Sequence, residues 1–138
     1  LAVSCIVLYK KSYIFALGLW LNYLKNQTIM KANEISNYVI SLTQNNPEEN
    51  LTNMKLQKIL YYLQGYYLAI FDESLFEDDI EAWKYGPVVC DEYHTYKVYG
   101  NNSIIVPEFS NSFNYLNSIQ KKFINKVYIV FDYLSWNL

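Results

Sequence analysis

The sequence predicts a mainly α protein: a compact single helical domain with short extended or β segments near 80–85 and 103–106. Three observations predict it. Apolar residues recur at helical spacing in three separate stretches. Breakers (Pro, Gly and Asn clusters) mostly fall between those stretches rather than inside them. And 138 residues, 52% of them apolar, are enough for one hydrophobic core.

The chain opens on an apolar stretch, residues 1–29, with three Lys and no acid. Lys10 and Lys11 divide it, and "YIFALGLWL" (13–21) is too short to span a bilayer. No small-residue cleavage pattern follows it. We expect residues 1–29 to be an N-terminal apolar extension of non-native upstream sequence, with the domain proper occupying 30–138 from Met30 onward. A membrane-associated N-terminal helix is the alternative.

Residues 31–44 form the first predicted helix, because Ile35, Tyr38, Val39 and Leu42 make one apolar stripe. "NNPEEN" (45–50) is a loop. Thr52 is a suitable N-cap for a helix over 53–71. Leu56, Ile59, Leu60, Leu63, Tyr67 and Ile70 would be its inner face, and Tyr61, Tyr62 and Tyr66 suggest a central helix covered on two sides. Gly65 inside it implies a close crossing by another part of the chain. "IEAWKY" (80–85) suits a short extended segment that packs Trp83 on this helix. Gly86 turns the chain and Pro87 starts a third helix over 87–99, stopped by Gly100. "SIIV" (103–106) is a strand or extended segment ended by Pro107. A last helix runs from about Asn114 to the terminus, with Leu116, Ile119, Phe123, Val127 and Val130 inward and Lys121, Lys122 and Lys126 outward.

Composition narrows the function. Arg is absent, so the residue best suited to bidentate gripping of phosphate or guanine is missing. Residues 30–138 carry eight Lys against thirteen acids, a formal charge of −5. With the Lys spread out, direct nucleic-acid binding by this core is not expected. Cys5 and Cys90 are far apart and no Cys/His ligand set accompanies them, so no structural zinc is expected. Lone thiols fit a reducing, cytoplasmic location.

No catalytic constellation is legible, and we expect no enzyme, no cofactor and no metal. His94, the sole His, has no nucleophile or base network beside it in sequence; an enzyme built on it is the weakest of the function classes. The acidic run Glu77, Asp78, Asp79 and Glu81 lacks the alternating ligands and central Gly of a calcium loop. Its more useful reading is a surface for a basic partner, since complementary charge speeds encounter. Trp83 and the nearby Tyr residues read first as architecture and second as a protein-binding surface.

Two ordered motifs carry a resemblance. Lys55, Leu56, Gln57, Lys58, Ile59, Leu60, Tyr61 and Gly65 match a Leu-Lys-Leu-Gln-Lys-Leu-Leu-Tyr helix followed by Gly, with Met54 in place of the first Leu. Glu81, Ala82, Trp83, Gly86, Pro87 and Val88 match Glu-Ala-Trp-x-x-Gly-Pro-Val. With that spacing the chain resembles the Panacea domain, the family of SocA-like antitoxins and phage-associated GepA proteins. The tail "DYLSWNL" resembles the family's Tyr-x-x-Leu-Ser segment. The Thr-His-x-x-x-Pro-Trp motif that usually follows lies beyond the last residue, so a C-terminally truncated domain is expected.

The resemblance implies a helical antitoxin, often prophage-encoded, that neutralises a cognate protein toxin encoded nearby by direct binding. Nothing in it implies catalysis. The surface we expect to bind combines Glu77, Asp78, Asp79 and Glu81 with Asp91, Glu92, Tyr93, His94 and Tyr96 of the third helix. The alternatives are an adaptor that delivers a bound partner to a protease, and a prophage-encoded regulatory interaction protein.

Overall fold

The computed structural model describes residues 30–44, 50–106 and 113–136, with side chains to residue 131. The segment 1–29 with Cys5, the predicted loop residues 45–49, Pro107 and the last two residues lie outside them. The described residues are mainly helical, with one small antiparallel sheet. Helix α1 is Ala32–Gln44 and α2 is Asn53–Phe71; strands β1 (Ile80–Trp83) and β2 (Gly86–Val89) follow, then α3 (Cys90–Tyr96), a 3-10 turn (Lys97–Tyr99) and α4 (Ser118–Trp136). None of these helices is long and apolar enough to cross a membrane.

Helix α2 touches α1, α3, α4 and β2, so its inner face is the middle of the core. Thr52 caps it as expected, its hydroxyl accepting the Lys55 N–H. Leu56, Ile59, Leu60, Leu63 and Tyr67 are buried, but Ile70 is 64% exposed. Tyr61, Tyr62 and Tyr66 are likewise exposed, so among the described residues α2 is covered on one broad side rather than two. Among the described residues the crossing expected at Gly65 is absent too: a Cβ built there meets none of them within 4 Å.

Three polar residues on α2 hold the rest of the domain in place. Gln57 is 2% exposed, and its Oε1 accepts the Val89 N–H while its Nε2 donates to Asn53 Oδ1. Asn53 Nδ2 donates to the Tyr93 carbonyl. Gln64 Oε1 accepts the N–H groups of Leu75 and Phe76, and its Nε2 donates to the Phe76 carbonyl. Each side chain pairs backbone groups of a segment packed on α2: Val89 at the end of β2, Tyr93 in α3, and Leu75 and Phe76 in the loop.

The segment after α2 corrects the expectation for Gly86 and Pro87. Gly86-Pro87 does not start a helix; it begins the second strand of a hairpin paired Ile80 to Val89, Glu81 to Val88, Ala82 to Pro87 and Trp83 to Gly86. Lys84 and Tyr85 are its two-residue loop, and Gly86 takes φ 128°, a value few other residues adopt. Pro87 is tolerated because both strands of a two-stranded sheet are edges. The helix therefore starts only at Cys90. The segment at 103–106, expected as strand or extended chain, is extended chain, held by the Ile104 N–H on the Leu51 carbonyl and by the side chains of Tyr99 and Gln44 on the Ile105 and Val106 carbonyls.

Helix α4 starts at Ser118 rather than near Asn114. Asn117 and Gln120 exchange side-chain-to-backbone hydrogen bonds, a reciprocal cap that sets the start. The cap hides Gln120 without leaving its amide unpaired. The buried seam is thus Leu116, Gln120, Ile124 and Tyr128, flanked by Phe123, Val127 and Phe131; Ile119 and Val130 face out. Tyr67–Phe123 and Tyr62–Phe131 ring contacts join α4 to α2, and the Tyr38 hydroxyl on Asn125 Oδ1 joins it to α1.

Candidate functional site

The acidic loop and α3 meet on one side of the fold, against the N-terminal end of α1. A backbone bridge between Met30 and Phe76 brings the loop there, extended by the Glu77 N–H on the Met30 carbonyl. The Asp78 carboxylate then accepts the Ala32 N–H at 2.7 Å, one of the donors the first turn of α1 leaves free. Glu77 pairs with Lys31. Two of the four loop acids therefore anchor the loop as well as charging it, while Asp79 and Glu81 stand exposed.

Between α1 and α3 lies an open pocket of about 360 Å³. Glu92 and Tyr96 of α3 are its buried floor. Asp78 and Asp91 add two more carboxylates, and Asn33, Asn37 and Thr95 supply neutral polar groups. Lys31 is on the rim with its ammonium on Glu77; that pairing, helped by Asp78 and Asp91, raises its pKa. The Tyr96 hydroxyl donates to Asn37 Oδ1, and burial with the nearby Glu92 pushes its pKa up to about 12.

Glu92 is the unusual member. It is only 4% exposed, and its Oε2 has no hydrogen-bond partner among the described residues. The fully buried Ser36 hydroxyl nearby is also without one in bonding geometry. Burial raises the Glu92 pKa; a hydrogen-bonding interaction with the Ser36 side chain, looser than strict bonding geometry, lowers it, and Asp78 and Asp91 raise it. Buried polar atoms are normally satisfied, and the Ser36 hydroxyl is the donor this carboxyl has at hand.

One helical step away, α3 presents aromatic rings. Trp83 does not bury on α2: it is 37% exposed and rests edge-on against Tyr93 with ring centroids 5.0 Å apart, beside His94. Its indole N–H donates to Glu81 Oε2 at 2.8 Å, which, with Cys90 next to it, lowers the Glu81 pKa. Tyr85 at the hairpin tip is more exposed still. Tyr93, His94 and Glu81 thus gather around Trp83, whereas Asp78, Asp91, Glu92 and Tyr96 gather in the pocket. The reading of the residues alone missed Asn33, Asn37 and Thr95, for which no sequence pattern was available; only the α1–α3 crossing brings them in.

The motif residues have distinct positions. Leu56, Gln57, Leu60 and Val88 are buried, whereas Lys58, Tyr61, Gly65, Ala82 and Trp83 are exposed; Lys55, Gly86 and Pro87 are half-buried. A family model described as "Antitoxin SocA-like, Panacea domain" matches residues 56–136, more than half of the chain. The chain belongs to the SocA-like antitoxin family with the Panacea domain. A role of the antitoxin type, and with it a toxin partner in general, goes with that membership. No curated protein and no solved structure matches the chain. The match spans α2 from Leu56 onward, the hairpin, α3 and α4, and so takes in both Gln57 and Glu92.

Proposed function

We propose that this Panacea-domain protein is a cytoplasmic antitoxin that neutralises a cognate protein toxin, encoded nearby, by direct binding and without catalysis. The observation that carries the reading is the face shared by the acidic loop and α3. On it an acidic pocket stands beside the exposed Trp83 and Tyr85 rings and the half-buried Tyr93. Aromatic residues are enriched at the centres of protein interfaces, and charge at their edges steers encounter. A core with this acidic balance suits a basic partner better than a nucleic acid.

Co-expression with the neighbouring gene product tests it. The neighbour alone should stop growth, and this protein should restore growth while forming a stoichiometric complex with it. A harmless neighbour, or a toxin that stays active beside a folded copy of this protein, overturns the proposal. Loss of the toxin over time only when a protease is present would replace masking with delivery to that protease.

A further inference from the structure

We infer that the open edge of β1 receives an extended basic segment of the bound protein partner, added as a third strand of the hairpin sheet. The inference rests on the direct-binding reading above and names the mode of one contact within it. Pro87 has no N–H, so Ala82–Pro87 is a pair whose backbone groups point away from each other. Pairs alternate along an antiparallel ladder, which makes Ile80–Val89 another such pair; Trp83–Gly86 and Glu81–Val88 are the bonded ones. The Val89 N–H agrees, because it leaves the ladder for Gln57 Oε1. The N–H and C=O groups of Ile80 and Ala82 therefore point to the outer edge of β1, where no third strand lies among the described residues.

The two edges of the hairpin differ. On β2, Gln57 covers the Val89 N–H, Pro87 offers none, and the strand packs on α2. On β1 neither device is present: Ala82 is exposed, and Ile80–Trp83 has no Pro, Lys or bulge to turn an added strand away. What β1 carries instead sets the charge of the occupant. Glu81 and Trp83 lie on one face of the strand, joined by the indole N–H on the carboxylate, and Asp79 is exposed at its start. Lys84, the one cation of the hairpin, lies at the tip over the Tyr85 ring. In an added strand, a Lys or Arg opposite Glu81 forms an opposite-charge cross-strand pair, and a second one two residues along meets the Trp83 ring. A second copy of this chain fits worse. Antiparallel pairing of two such edges with Ile80 opposite Ala82 sets Glu81 directly against Glu81, and like charges so placed are destabilising.

The test uses the full chain and two blocked peptides, acetyl-Val-Lys-Val-Lys-Val-amide and acetyl-Val-Glu-Val-Glu-Val-amide. They are titrated separately while backbone amide resonances are followed. The Lys peptide should shift the Ile80 and Ala82 amides saturably and more than those of Glu81 and Trp83, which are already bonded within the hairpin; the Glu peptide should not. Ala82→Pro removes an N–H from the open edge and none from the hairpin ladder, and Glu81→Lys reverses the charge. Each variant, verified as folded by the same spectrum, should weaken the Lys peptide roughly fivefold. Should Ala82→Pro fail to fold, Glu81→Lys gives the same reading from the surface. An unsaturable response to the Lys peptide, an equal response to the Glu peptide, or saturable shifts that spare residues 80–82 overturn the inference. So does a concentration-dependent dimer of the peptide-free chain that either variant abolishes, since a second copy would then hold the edge. Co-expression separates the two readings. Undiminished rescue by both variants overturns the edge while direct binding stands; failure of the wild type to rescue overturns direct binding itself.

Discussion

The side-chain oxygen of Gln57 accepts the Val89 backbone N–H at 2.9 Å inside the core. This bond sets the end of the hairpin against α2 and so fixes where α3 begins. Replacing Gln57 with Leu keeps the bulk but leaves the Val89 N–H buried and unpaired, a loss of roughly 2–3 kcal/mol. Chemical denaturation should show it as a lower midpoint with an unchanged slope, and α3 amides should exchange faster than those of α4.

Glu92 makes stability depend on pH in a definite direction. Burial, with Asp78 and Asp91 facing it, raises its folded pKa above the unfolded value, against the smaller pull of Ser36; Lys31 is the cation on the same rim. An acid shifted upward binds more protons folded than unfolded, so its ionisation destabilises the fold. The cost is absent below the ordinary carboxylate pKa and complete above the raised one. Glu92→Gln should therefore match the wild type in thermal stability at acid pH and exceed it increasingly as the pH rises to neutral. A parallel offset at all pH values would rule this out.

Trp83 is a surface ring, and its removal should show that. Truncating a buried Trp costs roughly 3–5 kcal/mol. Here the ring is 37% exposed and its main contact is an edge-on Tyr93, so Trp83→Ala should cost only about 1–2 kcal/mol. The variant should fold, as judged by far-ultraviolet circular dichroism and its denaturation midpoint, yet lose affinity for the partner. Unfolding at room temperature would mean that the ring is architecture after all.

Gly65 offers the opposite experiment. It is exposed within α2, and a Cβ there would meet none of the described residues within 4 Å. Gly65→Ala should stabilise the domain by about 1 kcal/mol through helix propensity alone. A rise in the thermal midpoint with unchanged partner binding is the expected result. Lost binding at equal stability would instead place a partner against that helix face.

Local signals were legible wherever they rest on neighbours in sequence. The stripe on α1, the Thr52 cap and both ends of α2 follow from side chains within one or two turns of each other. The hairpin was not legible because Gly-Pro is compatible with a helix start as well as with an edge strand. Pairing with residues 80–83 decides between them, and pairing is not a local property. The α4 seam was misread in part because an amide at position 120 looks like an outward residue until its reciprocal cap with Asn117 is seen.

The candidate site divides in the same way. Sequence by itself determined the helical class, the acidic character of the loop and the family motifs, since composition, periodicity and spacing depend on order along the chain. The tertiary structure alone decided that Trp83 stands on the surface beside Tyr93, and that Asp78 shares a pocket with Glu92 across the end of α1. Which charges share a low-dielectric space depends on how helices cross. That crossing is set by the summed packing of Leu56, Ile59, Leu60 and their partners, and no short stretch of residues encodes it.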